Sequence, residues 1–87
     1  SGFFNVGVAA QTSVGADGET IELFLGDAHH PLLGVINRTA NTNGTPRILG
    51  GTKLRDWFQT HARELCTINV DVRSPTSIRL TVRNAVE

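Results

Sequence analysis

The sequence predicts a mainly β domain with one clear α-helix, arranged as a small antiparallel open barrel. Three observations lead there. Short segments of alternating apolar and polar residues recur along the chain. One stretch after residue 52 carries apolar residues at helical spacing instead. The chain has 87 residues, enough for one domain with one modest core.

Phe3 to Ala9 reads as a strand, because Phe4, Val6 and Val8 alternate with Asn5 and Gly7. Gln11 to Glu19 is polar and holds glycines, so it reads as a loop or ragged turn. Thr20 to Leu25 alternates again, with Ile21, Leu23 and Leu25 on one face. Gly26 to Pro31 is a connection, and Leu32 to Thr39 a further strand. Asn41 to Pro46 is dense in turn formers, and Asn43-Gly44 is a strong hairpin signal because both residues tolerate positive φ. Arg47 to Leu49 reads as a short strand that Gly50-Gly51 ends.

Thr52 suits a helix N-cap, since its hydroxyl can accept a bond from an unpaired backbone N–H of the first turn. Leu54, Trp57, Phe58, His61, Ala62 and Leu65 then form one continuous stripe, opposite Arg55, Gln59 and Arg63. Trp57 and Phe58 are therefore expected to anchor the helix in the core. Ile68, Val70 and Val72 alternate with polar residues, as do Ile78, Leu80 and Val82 after a Ser74–Ser77 turn. That is a hairpin with one face turned inward. Strands outnumber helices, and closing the sheet into a half or full barrel hides its edges.

The whole chain, residues 1–87, reads as a single domain. Ser1-Gly2 reads as a cloning scar, and on that reading the chain is expected to be one domain excised from a larger protein. No apolar run approaches the roughly 18–20 residues of a membrane span, and no charged leader precedes an apolar segment. The one cysteine, Cys66, excludes an internal disulfide. An intracellular setting, cytoplasm or nucleoid, is expected, although Asn37-Arg38-Thr39 and Asn43-Gly44-Thr45 are formal glycosylation sequons.

The net charge of zero hides an asymmetry. Residues 1–37 hold four acids and no Lys or Arg, and residues 38–87 hold all eight basic residues against four acids. Arg38, Arg47, Lys53 and Arg55 follow one another with no acid between them. Seven of the eight basic residues are Arg, whose planar fork fits phosphates and guanine edges. The segment Asn37–Arg47 is almost all amide, hydroxyl and Arg. Asn reads adenine edges, Arg reads guanine, and Thr serves either or meets a thymine methyl. Arg38, Thr39, Asn41, Thr42, Asn43, Thr45 and Arg47 are thus candidate DNA contacts, although an ordinary surface turn would be polar too. Lys53 stands at a helix start, where a phosphate is favoured.

Catalysis and metal binding find less support. Asp27, His29 and His30 lie close together but lack a further ligand at fixed spacing. His61 and Cys66, five residues apart, would diverge by about 140° on a helix. Gly50-Gly51-Thr52-Lys53 lacks the phosphate-loop spacing. No nucleophile, base and orienting group line up. No catalytic residue, metal or cofactor is expected.

The order of features from Gly34 onward resembles a known family. A strand (Gly34-Val35-Ile36), a polar loop, Pro46-Arg47-Ile48-Leu49-Gly50-Gly51, a helix with Leu54-Arg55-Asp56-Trp57-Phe58, then Ile68-Asn69-Val70-Asp71-Val72 and a last strand are similar to the DNA-binding pseudobarrel. That fold is shared by plant B-three transcription factor domains and by the DNA-recognition or effector-binding domains of restriction endonucleases, the latter looking closer. The similarity covers about 50 residues. It implies two arms gripping a major groove: a middle arm at Arg38–Arg47 and an early arm near Gln11, Thr12 and Ser13. The expected function is sequence-specific recognition of double-stranded DNA, beside other domains of a parent protein that would carry any nuclease activity. The alternative is a protein–protein interaction or scaffold module of a larger assembly, which the neutral charge and acidic first half would suit.

Overall fold

A computed structural model describes residues 2–6, 13–61 and 66–84. Six strands and one helix follow in order: β1 (Phe3–Asn5), β2 (Thr20–Leu25), β3 (Leu32–Asn37), β4 (Arg47–Leu49), α1 (Gly51–His61), β5 (Cys66–Ser74) and β6 (Ser77–Asn84). All six strands join one sheet in the order β1-β4-β3-β2-β6-β5, curled into an open half-barrel. The fold is mainly β with one helix, as the sequence implies. The expected strand residues Val8 and Ala9 and the stripe residues Ala62 and Leu65 lie outside the described residues.

The sheet is not wholly antiparallel. β2 and β6 run parallel, pairing Leu23 with Ile78 and Leu25 with Leu80. A parallel pair needs a long crossover, and the chain between β2 and β6 supplies one through α1. The alternation that marks a strand is blind to direction, since it sorts side chains by face only.

Period-two alternation builds the core. Ile21, Leu23, Ile36, Ile48, Ile78 and Leu80 project to the inner face and are fully buried. Leu54 of α1 closes over them, also fully buried. Trp57 and Phe58 pack against this core as half-buried flanks. Phe58 meets Phe4 edge-on, ring centroids 6.3 Å apart, and Trp57 likewise at 5.6 Å. His61 of the stripe is exposed and lies 5.3 Å from the Trp57 ring. The helix begins at Gly51, so Thr52 lies inside its first turn rather than ahead of it.

The β5–β6 hairpin keeps the expected faces, with a bulge between Val72 and Ser74. Its inner face is unevenly covered. Ile78 and Leu80 are buried, Ile68 and Val72 are half-buried, and Val70 and Val82 stay 41% and 37% exposed. The inward burial expected of Val70 fails because β5 is the sheet's last strand, with no neighbour beyond it among the described residues, and that of Val82 fails because β6 runs past its pairing with β2, which ends at Leu25 and Leu80. No helix among the described residues is long and apolar enough to cross a membrane.

Candidate nucleic-acid interface

The sequence singles out residues 38–47, and local polar bonds fold this stretch back on itself. The Asn37 side-chain oxygen accepts bonds from the backbone N–H groups of Thr39 and Ala40, 2.8 and 2.9 Å away. The Thr39 hydroxyl donates to the same oxygen at 3.0 Å. Asn43 repeats the pattern, its Oδ1 accepting from Thr45 N–H at 3.2 Å and from the Thr45 hydroxyl at 2.7 Å. Between them the Gly44 N–H donates to Asn41 O at 3.2 Å, and Gly44 adopts φ +75°, which a side chain would strain. These are side-chain-capped turns, the usual employment of Asn and Thr outside regular structure.

Arg38 ties this turn to a distant loop. Its Nε donates to Gly15 O at 2.9 Å, Nη2 to Val14 O at 2.7 Å and Nη1 to Gly44 O at 3.4 Å. Its backbone N–H donates to Asp17 Oδ1 at 2.8 Å. The 13–19 loop is further stitched in place by Gly18 N–H on Ile36 O at 2.7 Å and Gly15 N–H on Pro75 O at 2.8 Å. The fork of one guanidinium thus joins residues 14–15 to residue 44. The acidic and basic halves of the sequence meet here, with Asp17, Glu19, Arg38 and Arg47 at one end of the sheet.

Arg47 is also engaged. Its guanidinium carbon sits 4.2 Å from the centre of the Phe3 ring. Its Nε donates to Asn5 Oδ1 at 3.3 Å and its Nη2 to Asn41 Oδ1 at 3.4 Å. Asn41 in turn donates from Nδ2 to Asn5 Oδ1 at 3.0 Å and to Thr45 O at 3.1 Å. Asn5, paired with Arg47 across β1 and β4, belongs to this cluster, and nothing in the sequence near residue 5 marks it as a partner of residue 41.

The expected site residues therefore sort into groups. Ser13, Thr39, Thr42 and Asn43 are exposed at the loop tips. Arg38, Asn41 and Arg47 are half-buried in hydrogen-bonded roles. Thr45 is buried, 7% exposed. Lys53 is exposed at the start of α1, beyond the far end of β4 from the turn, so it does not join the cluster. Gln11 and Thr12 lie outside the described residues.

A second feature escaped the sequence reading. A cleft of about 580 Å³, open to solvent, is lined by Gly26, Asp27, His29, Arg73, Arg79, Thr81 and Val82. Arg79 is pinned there, its Nη1 donating to Gly26 O at 2.6 Å and Ala28 O at 3.2 Å. Among the described residues, no group of three or more His, Cys, Asp or Glu side chains could hold a metal ion. No family model matches the chain, nor does any curated protein or solved structure.

Proposed function

We propose that this domain binds duplex DNA through the sheet end formed by the 13–17 loop and the 39–45 turn. The observation that carries the reading is the Arg38 clamp, which makes one surface of two polar segments more than twenty residues apart in sequence. Ser13 on one segment and Thr39, Thr42 and Asn43 on the other are exposed and offer the hydroxyl and amide groups that read base edges. Arg38, Asn41 and Arg47 shape the surface from behind, so that little order is lost on binding.

Titration of labelled duplexes at low salt tests this. The unaltered domain is expected to bind, and Ser13→Glu and Thr42→Glu each to weaken binding about tenfold by setting a carboxylate against phosphates. Lys53→Ala is expected to leave the affinity unchanged. Absence of binding by the unaltered domain to any duplex sinks the reading.

One observation favours the second reading, a protein-interaction or scaffold module. The outer face of the sheet carries Leu33, Val35 and Leu49 at 63%, 44% and 37% exposure. Contiguous exposed apolar residues at the centre of a sheet are a common mark of a docking surface.

A further inference from the structure

The outer face is organised by strand register. Phe3, Leu49 and Val35 stand side by side on β1, β4 and β3, with Thr20 of β2 next in the row. Leu33 follows two residues along β3 and pairs with Glu22 of β2. The aromatic residues of this face are already capped: Arg47 lies over Phe3 at 4.2 Å and Arg79 over Phe24 at 5.0 Å. The aliphatic centre is left bare.

The charges around that centre are self-complementary. Arg47 lies one strand to one side of Val35 and two residues along, since it pairs with Asn37. Glu22 lies one strand to the other side and two residues the opposite way, since it pairs with Leu33. With strands about 4.8 Å apart and a rise of about 3.4 Å per residue, the Cα of each is about 8 Å from that of Val35, and the Arg47 guanidinium reaches from there toward Phe3. A twofold axis through Val35, in the plane between two facing sheets, can therefore set Arg47 opposite Glu22 of a second copy and Glu22 opposite its Arg47. The same operation lays Leu49 over Leu33 of the second copy to within about 3 Å on this grid. Strands then cross steeply, one of the two ways in which sheets pack face to face.

We propose that the occupant of this face is a second copy of the chain, forming a twofold dimer centred on Val35 with reciprocal Arg47–Glu22 pairs. The inference rests on the second reading above. Twofold dimers use the same patch on both subunits, and this patch meets that demand in both shape of charge and apolar content.

Sedimentation velocity over a concentration series reaching the millimolar range tests it. The unaltered chain is expected to dimerise. Leu33→Asp should abolish dimerisation while leaving the melting temperature in place, because Leu33 is exposed. Glu22→Arg should raise the dissociation constant roughly tenfold, since two facing pairs become like-charged. The double variant Glu22→Arg, Arg47→Glu should recover affinity, and if it folds poorly the two single variants still decide. A dimer indifferent to Leu33→Asp or Glu22→Arg overturns the proposal, and so does a chain that stays monomeric throughout. In the monomeric case anilinonaphthalene sulfonate fluorescence separates the two failures. Dye binding that Leu33→Asp removes leaves the face available to another partner, whereas no dye binding removes the docking face as well.

Discussion

Arg38 follows Asn37 and precedes Thr39 in a run of base-reading side chains, and nothing local marks it as different. Its partners are carbonyl groups of Val14, Gly15 and Gly44, two of them over twenty residues away. A residue's type is written in the sequence, but its long-range partner is not. The clamp nonetheless has a measurable consequence. Arg38→Ala leaves three carbonyl oxygens without their charged donor, at a cost of roughly 2–3 kcal/mol. Arg38→Lys should recover only part of this, because an ammonium lacks the planar fork that reaches three acceptors. Urea denaturation measures both, and equal stability of Arg38→Ala and the unaltered domain would remove the clamp. Gly34 makes a parallel case in the core. A β-carbon there would come within 2.7 Å of the Leu49 carbonyl oxygen and 3.0 Å of Leu23 Cδ1. The oxygen belongs to a paired strand and cannot step aside, so Gly34→Ala should cost about 1–3 kcal/mol in the same assay.

The helix and the hairpin were legible as elements because their periodicity is local. Leu54, Trp57 and Phe58 do share the face that packs on the sheet. The weighting within the stripe was not legible, since it depends on where the helix axis lies over the sheet. Leu54 is fully buried, while Trp57 is only half covered. Leu54→Ala should therefore cost about 3–5 kcal/mol, and Trp57→Ala less despite its larger side chain. Denaturation of the two variants checks the order, and a larger loss for Trp57→Ala would reverse the assignment of the main anchor. The hairpin follows the same logic. Both strands alternate equally well in sequence, yet among the described residues β6 has neighbours on both sides along Ser77–Leu80 and β5 on one side only. Amide exchange should be slow along Ile78–Leu80, paired on both sides, and fast at alternate residues of Asn69–Val72, whose N–H groups point away from β6. Uniformly slow exchange through both strands would mean that β5 is covered by another chain.

At the scale of the molecule, the fold mixes what the sequence keeps apart. The acid-rich first half and basic second half suggest one face of each sign, but β2 and β3 interleave with β4 and β6, strands drawn from both halves. Asp17 bonds to Arg38, and Glu19 caps Ala16 beside it. Direction and order of strands depend on contacts between distant segments, which period-two patterning does not encode. The consequence for DNA is quantitative. The tip of the proposed interface has Arg38 and Arg47 as its cations, and Asp17 and Glu19 offset them. Lys53 stands beyond the other end of β4. Each neutralised phosphate contributes about −0.9 to the slope of log affinity against log salt. The proposed surface should therefore give a shallow slope, no steeper than about −2, with affinity drawn mainly from hydroxyl and amide contacts to bases. Such a domain would discriminate between sequences more than it would bind at large, so random duplexes should compete poorly with a selected target. Selection of a preferred duplex from a random pool, followed by titration at several salt concentrations, measures slope and discrimination together. A slope near −5 would require cations that this sheet end does not hold. It would move the contact surface toward α1, where Lys53 and Arg55 are exposed.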